Sequence, residues 1–191
     1  MTAGVVLLDA NVLYCAPLRD LLLQLAFAGL FQARWSADID DEWQRNLLAA
    51  RPELAAQIAR TRAIMHRAIP DALVTGYQSR IAGLSLPDPD DRHALAAAIT
   101  MADDVIITFN LKDFPAAALA PYGVVEAQHP DAFLLSLVAD MPLQVLAAAR
   151  ECVSRLARPP LTADSYLQIL RRTGLPQTAA FLEGNLAHWQ P

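Results

Sequence analysis

Two stretches of this chain are apolar with no polar alternation: Val5–Leu8 and residues 105–107. Runs of that kind predict short strands buried on both faces, as in the middle of a parallel sheet. Residues 31–35 and 123–126 predict two further short strands, and Thr108 extends the 105–107 run. Between these runs the apolar period lengthens to that of helices. Residues 20–29 predict a helix closed by Gly29. Ser36 reads as an N-cap with Asp38 in the first turn, opening a helix that carries Ile39, Glu42, Trp43, Asn46 and Leu47. Residues 52–68 predict another helix, with Pro52 tolerated in its first turn. Residues 70–84 are mixed and predict a shorter helix ending near Gly83. Residues 86–89 predict a loop, residues 90–101 an alanine-rich helix, and residues 110–114 a turn.

Strand, helices, strand, helix, strand is an α/β pattern with a central parallel sheet flanked by helices. After Pro130 the texture changes. Residues 131–139, 142–156, 162–173 and 176–189 each predict a helix, punctuated by Pro142, Pro159, Pro160 and Pro176. The expected organisation is an α/β domain over residues 1–128 and a small helical extension docked on it over residues 129–191.

Composition supports a folded chain. Of 191 residues, 54% are hydrophobic and 18% charged, enough for a full core and too apolar for disorder. The apolar stretch 21–31 is interrupted by Gln24 and is too short to span a bilayer. The first eight residues have no basic region or cleavage site, so no signal peptide and a cytoplasmic location are expected. Cys15 and Cys152 lack metal or redox spacing and read as packed thiols. Trp35, Trp43 and Trp189 read as core residues.

The net charge of −5 argues against a general nucleic-acid binder, but its distribution alters that picture. Residues 1–128 hold 15 acids against 10 basic residues, and residues 129–191 hold 5 of each. Within the first part, residues 43–87 carry six arginines against Glu53 and Asp71. An acidic pocket beside a basic wall suits an enzyme that holds a metal ion and a polyanion together; a solvated arginine-rich helical face is the plainer alternative.

Four acids stand out, three of them flanking core elements: Asp9 after the first strand, Asp91 at the opening of the alanine-rich helix and Asp113 after the 105–108 strand, while Glu42 closes the cluster Asp38, Asp40, Asp41, Glu42. Carboxylates are rarely placed there unless something positive holds them. Hard divalent cations take such oxygen ligands. In open parallel sheets ligands bind beyond the carboxyl ends of the strands, where Asp9, Asn110 and Asp113 converge. His93 reads as a packed or solvated histidine.

These blocks carry a resemblance. Leu8-Asp9-Ala10-Asn11-Val12-Leu13 resembles the opening motif of PIN-domain nucleases. Asp41-Glu42-Trp43 is similar to the family's second acid, Asp88-Pro89-Asp90-Asp91-Arg92-His93-Ala94-Leu95 to its third block, and Thr108-Phe109-Asn110-Leu111-Lys112-Asp113-Phe114 to its fourth. Each block alone is weak, but all four occur in order over about the first 125 residues. The tail resembles the helical extension of a VapC-like toxin subgroup.

The resemblance implies a Mg2+- or Mn2+-dependent endoribonuclease, the toxin of a type II toxin–antitoxin pair, that hydrolyses RNA by in-line attack of an activated water. Asp9, Glu42, Asp91 and Asp113 would be its metal-binding acids, with Asp90 the rival of Asp91. Thr108 and Asn11 would orient the carboxylates. Many relatives carry an acid where this chain has Asn110, so Asn110 shares the fourth position with Asp113. Arg45, Arg92 and Lys112 are the candidate phosphate contacts. Implied partners are RNA, a cognate antitoxin and a second copy in a homodimer, with no membrane. The alternatives are a degenerate PIN-like module that only binds RNA or antitoxin, and a phosphatase with Asp9 as nucleophile, which would want an acid where Asn11 stands.

Overall fold

The computed structural model describes residues 4–101, 105–122, 126–155 and 161–189. Five strands form one sheet in the order β3-β2-β1-β4-β5, parallel throughout: β1 (Val5–Leu8), β2 (Gln32–Ser36), β3 (Leu73–Val74), β4 (Val105–Ile107) and β5 (Glu126–Gln128). The two uniform apolar runs lie side by side at its centre, with Leu7 opposite Ile106 and Leu8 opposite Ile107. Uniform apolarity is required there because helices cover both faces. Of the 123–126 strand expectation, residues 123–125 lie outside the described residues, and β5 begins at Glu126. β3 was not expected; with two residues it leaves no pattern to read.

The helices are α1 (Ala10–Tyr14), α2 (Ala16–Phe27), α3 (Ala37–Ala50), α4 (Ala55–Ala68), α5 (Gln78–Ile81), α6 (Arg92–Met101), α7 (Ala116–Leu119), α8 (Pro130–Asp140), α9 (Pro142–Arg155), α10 (Ala163–Arg172), α11 (Pro176–Gly184) and α12 (Leu186–Trp189). Ser36 caps α3, its hydroxyl accepting from the Ile39 amide at 3.2 Å. Pro52 opens a 3-10 turn that leads into α4. Residues 89–91 likewise form a 3-10 turn, so the alanine-rich helix begins at Arg92 and not at residue 90. Its inward face, including Leu95 and Ala98, is fully buried.

The chain divides into two compact units. One comprises residues 1–14 and 31–129 and contains the sheet with α1 and α3–α7. The other comprises residues 15–30 and 130–191, so α2 packs with the C-terminal helices. The helix expected at 20–29 begins earlier, at Ala16, with Pro17 tolerated in its first turn. It ends at Phe27, and Gly29 takes φ 80°, the left-handed conformation that lets Leu30 N–H return to the Leu25 carbonyl. In the same unit Thr162 caps α10 and Asp131 caps α11. The helix expected over residues 176–189 is two helices, interrupted at Asn185. Trp35, Trp43 and Trp189 are fully buried in their units.

Candidate active site

The acids of the sheet-containing unit meet beyond the carboxyl ends of β1, β2 and β4, where the strand order reverses about β1. That reversal opens the crevice in which parallel sheets place ligands. Asp9 follows β1 and is buried, with both carboxylate oxygens held. Oδ1 accepts from the Ala10 amide at 2.7 Å. Oδ2 accepts from Asn11 Nδ2 at 2.6 Å and from the Thr108 hydroxyl at 2.7 Å.

Thr108 is itself fully buried, and its oxygen accepts from Asn11 Nδ2 and from the Asn110 amide, each at 2.9 Å. Asn11 Oδ1 completes the ring by accepting from the Phe109 amide at 3.1 Å. Asn11 and Thr108 thus latch the turn after β1 to the turn after β4. Asn110 Nδ2 donates to Asp113 Oδ2, so this amide orients the neighbouring acid. Asp113 is buried at the end of a 3-10 turn.

Glu42 lies in α3 and meets His93 of α6, with Oε2 3.3 Å from Nε2. This pairing was not legible in the sequence, because α3 and α6 approach only in the folded unit. Burial opposes protonation of His93, yet its hydrogen bond to Glu42 and the charges of Glu42, Asp38 and Asp9 outweigh that, and its pKa is raised. The other acids of α3 are spoken for. Asp38 accepts from the Tyr77 hydroxyl at 2.8 Å. Asp40 is fully buried and bound by Trp43 Nε1, Arg62 Nε and His66 Nε2. Asp41 pairs with Arg62 at 3.2 Å.

Asp91 is strongly perturbed by its surroundings. Its pKa is pushed up to about 7, first by burial and then by the negative charges of Asp9, Asp88, Asp113 and Glu42. Asp9 is raised too, chiefly by burial, against the lowering hydrogen bond from Thr108. Among the described residues Asp91 Oδ2 is buried without a hydrogen-bond partner.

A cleft of about 690 Å³ opens over this centre, lined by Asp38, Glu42, Arg45, Asp91, His93 and Asn110 among others. Of the basic candidates, Arg45 stands on its wall. Arg92 Nε donates to the Pro89 carbonyl at 2.8 Å. Lys112 sits in the exposed turn before Asp113. Asp90 is exposed on the cleft rim.

A parallel sheet of this order with carboxylates converging at its switch point defines an α/β protein with an acidic centre suited to a cation. The chain belongs to the PIN domain family, whose model matches residues 5–112, and a VapC50 C-terminal domain model matches residues 130–184. It is 39% identical over 109 residues to "Putative ribonuclease VapC50" of Mycobacterium tuberculosis (strain ATCC 25618 / H37Rv), a match covering 57% of this chain and 63% of that protein. No solved structure gives a significant match.

PIN-domain nucleases generally use divalent metal ions, and the residues present fit one. The donors are hard carboxylate oxygens, their charges repel one another, and a buried Asp91 oxygen has no partner. Among the described residues no helix is long and apolar enough to cross a membrane.

Proposed function

We propose that the protein is a Mg2+- or Mn2+-dependent endoribonuclease, acting as the toxin of a toxin–antitoxin pair. The observation that carries this reading is the buried, unpartnered Asp91 oxygen amid four other carboxylates. Either a proton held on Asp91 or a bound cation relieves such repulsion, and hard carboxylate oxygens gathered in one cleft suit a divalent cation. The nuclease portion is residues 1–128, apart from α2, and residues 129–191 are the helical extension.

A divalent ion held by Asp9, Glu42, Asp91 and Asp113 would supply Lewis acidity and neutralise charge that builds on a phosphate. The chain's own groups do the rest. Thr108 and Asn11 hold Asp9 in one orientation, so its carboxylate does not reorganise during reaction. Asn110 does the same for Asp113. His93 fixes Glu42 and places a cation-forming ring on the cleft wall. Arg45 contacts a substrate phosphate from that wall, and Arg92 and Lys112 are further phosphate contacts. The perturbation of Asp91 by the charges of Asp9, Glu42 and Asp113 favours catalysis over a degenerate binding role.

The partner is an antitoxin that lays an arginine across the carboxylates. The active form is a cytoplasmic homodimer. Cleavage mapping on total RNA with Mn2+ or Mg2+, comparing wild type and Asp9→Asn, tests the reading: every cut disappears in the variant if it is right. Unchanged cutting by Asp9→Asn overturns it. Co-purification of a neighbouring gene product that suppresses cleavage tests the antitoxin.

A further inference from the structure

One residue of the cleft has no role in the account so far. Asn46 stands on α3 one turn past Glu42 and next to Arg45, and all three line the cleft. Four residues of an α-helix advance about 6 Å along its axis, on the order of one nucleotide step in an extended single strand. The Asn46 side chain is exposed and, among the described residues, makes no hydrogen bond. Asparagine in a helix interior is a poorer choice than alanine, so the stability of α3 does not call for it.

The rest of the lining differs in kind. It consists of acids, Arg45, His93 and Asn110. His93 is paired with Glu42, and the Asn110 amide nitrogen is committed to Asp113. Asn46 therefore brings to the cleft a neutral carboxamide whose N–H donors and carbonyl acceptor are all free.

We propose that Asn46 is a specificity-determining residue: its carboxamide reads the base of the nucleotide beside the scissile phosphate, and adenine is the base it fits. This rests on the endoribonuclease reading given above.

The division of labour on this wall of α3 follows from chemistry. Arg45 is a cation suited to a phosphate, and phosphate contacts position a strand without reading its sequence. Sequence in RNA is read on the edges of unstacked single-stranded bases, by groups that donate and accept side by side. An asparagine meets adenine with two bonds, its N–H donating to N7 while the N6 amine donates to its carbonyl. Adenine pairs an amine with a ring-nitrogen acceptor on its Watson–Crick edge as well, whereas cytosine does so on one edge only. The acids around Asn46 disfavour the carbonyl oxygens that uracil and guanine present instead.

Cleavage of a randomised single-stranded RNA pool by the full chain with Mn2+, with the cut ends sequenced, tests the assignment. Wild type should cut beside adenine in preference to the other bases. Asn46→Ala should lower that preference roughly tenfold, the worth of one two-bond contact. Arg45→Ala should weaken cutting beside all four bases alike and leave the preference in place. The melting temperature of Asn46→Ala should equal or exceed that of wild type. Wild-type cutting with no adenine preference overturns the proposal while the nuclease reading stands. The same holds if Asn46→Ala keeps the preference, slows all four bases equally or lowers the melting temperature, or if Arg45→Ala removes the preference as fully. If wild type cuts no RNA, both readings fall together.

Discussion

Thr108 donates its hydroxyl hydrogen to Asp9 Oδ2 at 2.7 Å, joining two residues 99 positions apart in the chain. The same oxygen accepts two further hydrogen bonds, and the residue is fully buried. Thr108→Val keeps the shape and removes all three interactions. A buried donor or acceptor left unmet costs about 1–3 kcal/mol. Urea unfolding should therefore show a loss in that range, and RNA cleavage should fall with it. Cleavage that survives at wild-type rate would show that Asp9 needs no fixed orientation.

Asp91 makes stability depend on pH. Its folded pKa lies near 7, above the ordinary value of 3.8. The folded state therefore holds a proton that the unfolded chain releases, and the associated stability is full below about pH 4 and lost as pH rises through 7. His93, also raised, works in the same direction across its own range. The melting temperature in chelator should fall between pH 5 and pH 8. Mn2+ takes the proton's place, so its stabilising effect should be larger at pH 8 than at pH 5. A Mn2+ effect that is flat with pH would contradict this.

Asp40 anchors α3 to α4. It is fully buried and accepts from Trp43 Nε1 at 2.8 Å, Arg62 Nε at 2.8 Å and His66 Nε2 at 2.7 Å. Removing one partner of a buried pair costs on the order of 3–5 kcal/mol, and less here because Arg62 is partly exposed. Asp40→Ala should lower denaturant stability by about 2–3 kcal/mol. Arg62→Met should cost less, because Trp43 and His66 still bind Asp40. Equal losses for the two variants would refute that ranking.

In the helical unit, Asp131 caps α11 through the amides of Gln177 at 3.0 Å and Thr178 at 2.9 Å, and through the Thr178 hydroxyl at 2.6 Å. Asp131→Ala should destabilise the protein by about 1–2 kcal/mol. Mn2+ affinity should not change, because none of these groups touches the acidic centre. A change in affinity would point to coupling between the units.

Much of this was readable from the chain itself, for local reasons. Val5–Leu8 and Val105–Ile107 announce central strands because burial on both faces tolerates no polar position. Ser36 announces α3 because a hydroxyl at that place satisfies a free amide. Asp9, Glu42, Asp91 and Asp113 stand out because charge at the ends of core elements needs a partner. These signals lie within a few residues, and local chemistry writes them into sequence.

What required the tertiary structure is contact between distant segments. β3 is two residues long and exists only because β2 offers it an edge. α2 follows the first strand of the sheet yet packs with helices more than a hundred residues later. Glu42 finds His93, Asn110 turns to Asp113, and Asp88 joins the acids only when a 3-10 turn carries it beside Asp91. Period and capping fix what each segment is. Which carboxylates share a cleft, and which are already neutralised by a neighbour, is decided by how separate elements pack.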